Sequence, residues 1–589
     1  MINNMLPPAF VLILGAVLIP FLRGKAKSAY MLILPVVVFA TLVNLNIGNI
    51  WQVEFWGYPL ILGRVDKLSL VFCYVFTIMA FLGVLFALQV KDNLQHVSGL
   101  VYAGATLGVV LAGDFLSLYL FWEIMAVSST FLIIASRTKE SREAGFRYIL
   151  VHLIGGLFFL AGIVLYIQKT GTIAFDKIGL SGIESCLIFI GIALNAAAIP
   201  LHAWLPDAYP MGTPTSTVFL SAFTTKSAVY LLIRTFPGEP VLLIIGGLMV
   251  SLPIFYAVLE NDIRRVLSYS LMNQVGFMLV GIGIGTHLSL NGAVAHSFCH
   301  ILYKALLFMA AGSVLQMTGK IKCTEIGGLY KTMPLTCLFC MIGAASISAF
   351  PLFSGFVSKS MIVSASAREK IFIIWLVLQF ASGVVDHAGI KVPFFTFFGH
   401  DSGIRAKEPP LNMLLAMAIA AFFCVGLGVY YQPLYNLLPF PVHYVPYTGT
   451  HVVTQLQLLL FGALAFTLLI LSGYYVPEVR SCNLDADFIY RKFGRFAYLI
   501  TDKGLNGLNK VSEVVLMRIV KAISSFFRSA AVKIALFVSV NIWLLQGYRD
   551  KRLEIKKDKL YNDIVQGTMP IGMSVAVTIT FALIIYALT

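Results

Sequence analysis

Apolar runs, each of about the 20 residues that a helix needs to cross the bilayer core, alternate with short polar segments along the whole chain. This pattern predicts an all-α, polytopic membrane protein with about 14–16 transmembrane helices. The first run, MLPPAFVLILGAVLIPFL, lacks a basic leader and a small-residue cleavage site, which indicates a retained helix rather than a signal peptide. Basic residues concentrate in loops after odd-numbered runs, for example Arg137, Lys139 and Arg142, so these loops are expected in the cytoplasm.

Composition supports a multi-pass membrane protein. Hydrophobic residues make up 59% of the 589 residues and charged residues only 12%, whereas soluble domains are about half apolar and about a quarter charged. The net charge of +15 comes from basic residues between apolar runs, which indicates contact with lipid headgroups rather than nucleic acid. Cys337 and Cys340 form a CxxC inside an apolar run without a second pair, so packing is favoured over metal binding.

Several ionisable residues interrupt the apolar runs, where a charge costs about 2.5–3.5 kcal/mol at the helix centre. Residues at i, i+4 and i+8 share one helical face, which places His296, His300 and Lys304 together. A line of such groups bridged by water can pass a proton, because histidine titrates near neutrality. The candidate catalytic residues of this proton path are Glu123, Lys226, His296, His300, Lys304 and Lys359.

Other interpretations of these residues stay open. Lysines near a helix end often extend their ammonium groups to the headgroups. This alternative stays open for Lys359, and for Lys391 it is as well supported as a role inside the membrane. Two histidines at i and i+4 can chelate zinc, but the neighbouring Lys304 would repel a dication, so no metal and no other cofactor is expected. Asp386 and His387 are further polar residues in a late apolar run.

Two predicted helices contain breaks. The segment NAAAIPLHAWLPDAYPMGTPTS carries four prolines, and ISAFPLFSGFVSKS carries Pro351 and Gly355. Such breaks at membrane depth are tolerated only inside protein or beside water, and paired breaks indicate two inverted repeats with an ion site nearby. The expected divisions are N-terminal helices at 1–96, a first repeat at 97–259, a second repeat at 260–400, C-terminal helices at 401–479 and a tail at 480–589.

The tail differs from the rest of the chain. It is rich in basic residues, and Arg518, Lys521, Ser525 and Arg528 form one polar stripe on an otherwise apolar helix. The run 534–546 is short for a crossing, so an amphipathic segment on the cytoplasmic surface is preferred, followed by a closing transmembrane helix. A true crossing at 530–547 is the alternative.

The motifs resemble those of the antiporter-like membrane subunits of Mrp cation/proton antiporters, respiratory complex I and membrane-bound hydrogenases. FWEIMAVSS (121–129) looks like the family's FWE segment, and PLHAWLPDAYPMGTPTS (200–216) looks like its PLHxWLPDA signature. ENDIRRVLSYSLMNQVGFM (260–278), AHSFCHILYKALLFMAAGSV (295–314) and FPLFSGFVSKSMIV (350–363) resemble three further motifs. By this resemblance, the functional residues of the family correspond to Glu123, His296, His300, Lys304 and Lys359 of this chain. The tail segment NLDADFIYR is similar to Mrp D-type sequences.

One position departs from the family pattern. Many members carry a lysine shortly before PLHxWLP as the partner of the glutamate, and Asn195 occupies that place here. Asparagine cannot hold a proton, so either Lys226, which has counterparts in some members, partners Glu123, or this half does not pump in the family's manner. The first alternative is expected, with both side chains lining one hydrated cavity.

The resemblance implies proton translocation with exchange for Na⁺ or another monovalent cation, in a complex with other membrane subunits. The alternative is a proton-pumping subunit of a complex I-like oxidoreductase or membrane-bound hydrogenase, whose electron chemistry would lie in other chains. A purely structural membrane protein is a third hypothesis, which the polar helix faces disfavour.

Overall fold

The computed structural model describes residues 6–55, 57–383, 388–475, 485, 487–567 and 571–588. Asp386 and His387 therefore lie outside the described residues. The chain divides into two compact units, Met1–Asp487 and Phe488–Thr589, which we describe separately. Twelve helical segments of the described chain are long and apolar enough to cross a membrane, and four shorter apolar helices accompany them. The prediction of a polytopic α-helical protein is confirmed.

The first unit begins with helices α1 and α2, a β-hairpin and helices α3 and α4. The hairpin was not predicted: its strands pair antiparallel from Gly48 with Val65 to Phe55 with Tyr58, in a stretch that the hydropathy pattern treated as a loop. Asp66 caps the helix that follows, because its carboxylate accepts the Ser69 N–H. The bounds are α1 Pro8–Val17, α2 Gly24–Val43, β1 Gly48–Phe55, β2 Tyr58–Val65, α3 Lys67–Phe86 and α4 Asn93–Leu111.

Two series of helices with similar architecture follow, and we call them the first half (α5–α10) and the second half (α12–α15). The helix α11 connects them. The bounds of the first half are α5 Phe115–Ile134, α6 Lys139–Thr170, α7 Ile183–Asn195, α8 Trp204–Ala208, α9 Ser216–Ala222 and α10 Thr224–Thr235. The connecting helix and the second half are α11 Pro240–Leu259, α12 Ile263–Ile284, α13 His287–Thr318, α14 Pro334–Ile347 and α15 Ser354–Arg368.

The likeness of the two halves is visible in their longest helices, α6 and α13, each of 32 residues. Thr138 caps α6 and Thr286 caps α13, each accepting the N–H of a serine three residues on. Both helices end at a glycine in the left-handed conformation, Gly171 and Gly319. Each of these second-half positions stands 148 residues after its first-half equivalent.

Both predicted breaks are present, and a third appears beside Lys226. α7 ends at Asn195 and regular helix resumes only at Trp204, while α14 ends at Ile347 and α15 begins at Ser354. The third break lies at Phe223, between α9 and α10. No proline or glycine marks it, which is why the sequence did not predict it. Two of the three breaks therefore adjoin predicted residues, since Lys226 follows the break at Phe223 and Lys359 lies on the helix that begins after α14.

Five further helices complete the first unit: α16 Phe372–Gly383, α17 Lys391–Pro393, α18 Leu411–Val429, α19 Gln432–Leu437 and α20 Gly449–Leu471. Lys391 does not reach the headgroups. It is fully buried, and its ammonium group donates hydrogen bonds to the carbonyl oxygens of Val258 at 2.6 Å and Glu260 at 2.7 Å. Its role in this structure is to bind the end of α11.

The second unit consists of α21 Asp487–Leu545, α22 Lys551–Gly567 and α23 Ile571–Leu588. α21 has 59 residues without interruption, so it is roughly 88 Å long. That length far exceeds the bilayer core of about 30 Å, and the run 534–546 is the last part of this one helix. A surface position for α21 and a crossing by α23 stay predictions, as do the five divisions of the chain.

Candidate functional site

Lys226 lies in the first turn of α10, directly after the third break, and is fully buried. The last carbonyls of a helix have no partner within it, and the Lys226 ammonium group donates a hydrogen bond to the carbonyl oxygen of Ser221 at 2.6 Å. Lys226 also lies close enough to His296, His300 and Lys304 to interact with each of them electrostatically. The break thus holds the ammonium group beside the ionisable face of α13.

That face of α13 is completely enclosed. His296, His300 and Lys304 each have no exposed surface, and the rings of the two histidines are 6.1 Å apart. Within the described part of the chain, neither ring nitrogen of His300 and no donor of Lys304 has a hydrogen-bond partner. Because buried polar atoms are almost always satisfied, ordered water is expected beside both side chains. The predicted interior position of all three residues agrees with this burial.

Hydrogen bonds fix the orientation of the His296 ring. Its Nε2 is 3.2 Å from Oε1 of Gln274, and its Nδ1 is 3.1 Å from the Ser358 hydroxyl. The Gln274 amide donates to Asn273 and its Oε1 accepts from Tyr303, so this oxygen accepts the Nε2–H of His296 as well. Both ring nitrogens are engaged in hydrogen bonds. Sequence reasoning missed Gln274 and Ser358, because uncharged polar residues are common in helix contacts.

Lys359 lies one residue after Ser358 on α15. Its ammonium group donates to the carbonyl oxygen of Ile347 at 3.1 Å, at the end of α14, and lies 4.8 Å from the centre of the Phe277 ring. The side chain is 4% exposed, so it does not extend to the headgroups. It lies in the wall of a cavity of about 330 Å³ between α15, α16 and α20, with Ser360, Ser364, His451, Thr454 and Gln455 among its other lining residues.

Five of the six predicted residues therefore form one cluster, which we call the buried cluster: Lys226, His296, His300, Lys304 and Lys359. Lys359 interacts electrostatically with both histidines, so the cluster reaches from the break at Phe223 to the cavity. Histidine and lysine side chains that water bridges can exchange protons.

Glu123 is not part of the buried cluster. It lies on α5, is only partly buried, and its neighbours are the Tyr119 hydroxyl, to which it is hydrogen-bonded, and α6 at Gly156. A Cβ added at Gly156 would collide with the carboxylate. Among the described residues, the interactions of Glu123 do not include Lys226, so the expected pairing of these two side chains is not seen.

The place of the family lysine is polar but uncharged. Asn195 is the last residue of α7 and is 1% exposed, and neither atom of its amide has a partner among the described residues. The next residue back, Leu194, accepts a hydrogen bond from the Trp204 indole at 3.0 Å. The position is therefore polar and enclosed, yet asparagine cannot carry a proton there.

Residues 112–384 match the family model described as NADH:quinone oxidoreductase/Mrp antiporter, transmembrane. This region of the chain resembles the antiporter-like membrane subunits. The matched region includes the buried cluster and Glu123, and the family assignment made from the motifs is confirmed.

Individual relatives support the assignment of this antiporter-like subunit. The D-type Na(+)/H(+) antiporter subunit of Alkalihalophilus pseudofirmus is 28% identical over 56% of this chain and 71% of its own length. The A-type Na(+)/H(+) antiporter subunit of the same organism is 29% identical over 70% of this chain, but the alignment spans only 60% of that longer protein. A chain of the membrane-bound sulfane sulfur reductase, an archaeal respiratory membrane complex, has 25% identity and a TM-score of 0.66 over 77% of this chain and 98% of its own.

Proposed function

We propose that this antiporter-like subunit moves protons across the membrane through the buried cluster, in exchange for Na⁺ or another monovalent cation. The observation that carries the proposal is the enclosure of His296, His300 and Lys304 on one face of α13, with buried Lys226 and Lys359 as their charged neighbours and a cavity beside Lys359. The names of the Alkalihalophilus relatives support cation exchange. Other membrane subunits are the expected partners, since those relatives are themselves named as subunits.

His296 can pass a proton without leaving its place. With Nε2–H bound to Gln274, the neutral ring accepts at Nδ1 from the Ser358 hydroxyl, which lies 3.1 Å away. When Nδ1 takes up a proton, the ring donates to that hydroxyl, whose hydrogen then turns to the carbonyl oxygen of Ser354 at 3.0 Å. Ser358 directly precedes Lys359 on α15, so the helix that orients the ring also bears the next group. Gln274 and Ser358, which are uncharged, thus hold the His296 ring in this orientation.

The experiment uses everted membrane vesicles that contain the chain together with its native partner subunits. Proton movement is followed with a pH-sensitive dye after addition of NaCl or KCl. Glu123→Gln and Lys359→Met are expected to lower the rate by about tenfold or more, since each removes a proton-carrying group. Lys370→Met, which removes an exposed lysine two residues beyond α15, is the matched control and should keep the wild-type rate. Wild-type rates in both test variants at equal membrane content would refute the proposal.

A second candidate is proton pumping within a redox complex, which the likeness to the sulfane sulfur reductase chain supports. The same vesicles separate the two candidates. Exchange predicts a proton signal on addition of the cation alone. Redox pumping predicts no signal until an electron donor is supplied, and then a signal that is independent of the cation.

A further inference from the structure

We propose that His152 is the proton-carrying side chain of the first half, in the place that His300 has in the second half. The inference rests on the proposed function, because it concerns the same proton route. It addresses the region between Glu123 and the buried cluster, where Asn195 supplies no titratable group.

The two halves themselves point to His152. The caps and ends of α6 and α13 correspond with a constant separation of 148 residues, as Thr138 and Thr286 show. The same separation relates His152 to His300. Both histidines are almost fully enclosed, with exposed fractions of 2% and 0%. The first half therefore has a histidine at the same point of α6 as the second half has on α13.

Hydrogen bonding determines which ring nitrogen of His152 is available. Nδ1 lies 2.9 Å from the carbonyl oxygen of Tyr148, and a carbonyl only accepts, so Nδ1 carries the hydrogen. In the neutral ring the lone pair is then on Nε2, which has no partner in the described part of the chain. The ring stacks on Tyr148 with centres 3.9 Å apart and meets the edge of Trp204 at 4.6 Å. These contacts hold a basic nitrogen in a fixed place.

One turn of α6 brings His152 beside Glu123. Gly156 is four residues after His152, so both lie on one face of the helix, about 5–6 Å apart. Gly156 is the residue against which the Glu123 carboxylate packs, and Oε1 of that carboxylate has no partner among the described residues. Gly155, on the same turn, packs against Leu194, next to Asn195. Three unsatisfied polar side chains thus surround one turn of α6.

A hydroxyl chain leads from this turn to Lys226. Tyr148, on which His152 stacks, has its hydroxyl 2.9 Å from that of Ser129 and close to that of Thr224. Thr224 is the first residue of α10 and also hydrogen-bonds the Tyr102 hydroxyl, at 2.5 Å. Lys226 is two residues further on. The hydroxyl groups therefore end at the break that holds the first member of the buried cluster.

The proton steps balance without any further reactant. A proton leaves the protonated Glu123 carboxyl through water and binds the lone pair on Nε2 of His152, which leaves a carboxylate and an imidazolium. The imidazolium keeps its Nδ1–H on the Tyr148 carbonyl. Lys226, an ammonium group on the Ser221 carbonyl, first passes one proton on to the buried cluster, and its neutral amine then takes the Nε2 proton along water and the Thr224 hydroxyl. His152 is then neutral again, and the Glu123 carboxylate takes up the next proton from water.

The test compares His152→Asn with His152→Asn combined with Asn195→Lys, in everted vesicles that contain the native complex. The asparagine amide can still donate to the Tyr148 carbonyl, so the variant removes the lone pair while it keeps the local hydrogen bond. His152→Asn is expected to lower the transport rate by about tenfold or more. Adding a lysine at 195 is expected to restore at least a third of the lost rate, because it returns a titratable group to the same place. His287→Asn, which removes an exposed histidine stacked on Phe440, is the matched control and should leave the rate unchanged.

The outcomes distinguish this inference from the proposed function. A wild-type rate in His152→Asn, or a loss that the lysine at 195 does not relieve, would overturn the role of His152 while leaving the proposed function intact if Glu123→Gln is inactive. Wild-type rates in Glu123→Gln, Lys359→Met and His152→Asn together would overturn the proposed function and this inference with it. If His152→Asn fails to reach the membrane, His152→Gln replaces it with the same expected results.

Discussion

The ammonium group of Lys226 donates a hydrogen bond across the break in its own helix, to the carbonyl oxygen of Ser221 at 2.6 Å. A regular helix would satisfy that carbonyl with a backbone N–H. The break therefore gives a fully buried lysine one fixed partner and holds it beside the ionisable face of α13. A lysine held in this way has a defined position, and no carboxylate of the residues that the structure describes is paired with it.

Lys226→Met is expected to lower cation-dependent proton transport by about tenfold or more, because the buried cluster then lacks its first member. Lys226→Arg should be nearly as inactive, since guanidinium does not release its proton. Transport in everted vesicles at equal membrane content measures both. An active arginine variant would show that only the positive charge matters.

Gln274→Leu removes the acceptor that holds the His296 Nε2–H. The ring then loses its fixed orientation toward Ser358, and transport should fall by about tenfold, whereas Gln274→Glu, which keeps an acceptor at that place, should retain more of the rate. Comparison of the two variants in the dye assay separates orientation from packing. Equal rates for both variants would argue against a positioning role.

Ser364→Phe places a large side chain in the wall of the cavity beside Lys359. If protons reach the membrane surface through this cavity, the rate should fall by about tenfold or more, toward the loss of about 10²–10⁴-fold that removal of a proton-transfer group causes. Ser251→Phe, on α11 and away from the cavity lining, is the matched control. Similar rates in both variants would place the exit elsewhere.

Gly156→Ala tests the contact between α6 and Glu123. The new methyl group collides with the carboxylate, so Glu123 must move and transport should fall severalfold. Gly426→Ala, at a helical glycine with open space around it, should keep full transport and gain about 0.4–1 kcal/mol of stability. The dye assay and thermal unfolding in detergent measure the two effects, and a fully active Gly156→Ala would contradict the proposed place of Glu123.

Asp66 is expected to make stability depend on pH. Burial alone would raise the pKa of Asp66, but Arg234, at 2.7 Å, and the Ser69 N–H hold that pKa below its ordinary value. A lowered pKa in the folded state means that the stabilisation is present at neutral pH and is lost as the pH falls through that pKa, below about 4. Asp66→Asn should therefore cost about 1–3 kcal/mol at pH 7 and progressively less in acid.

Thermal unfolding of the purified protein in detergent, at pH 7 and at lower pH, measures this difference. Glu143→Gln is the control, since Glu143 lies in an exposed pair with Lys139 at 4.0 Å, and exposed pairs contribute little. An Asp66→Asn variant as stable as the wild type at pH 7 would contradict the prediction.

The sequence alone determined the class of protein, the family and the identity of the buried cluster. Apolar runs of membrane length need no tertiary contact to be recognised, because the bilayer sets their length. The spacing of His296, His300 and Lys304 follows from helical geometry, and the prolines of both predicted breaks are visible in the sequence. A charged residue within an apolar run is equally visible in the sequence, and this signal identifies Lys226 and Lys359.

Only the tertiary structure decided which of these residues meet. Glu123 and Lys226 both interrupt apolar runs. The direction of the Glu123 side chain depends on how α5 packs on α6, and that of the Lys226 side chain depends on a break at Phe223 that contains neither proline nor glycine. His152 was passed over because a lone histidine in an apolar run is ordinary. Its correspondence with His300 became visible only when the equal lengths and caps of α6 and α13 were compared in the folded chain. Long-range packing, which no local pattern encodes, thus determines the route between the residues that the sequence identifies.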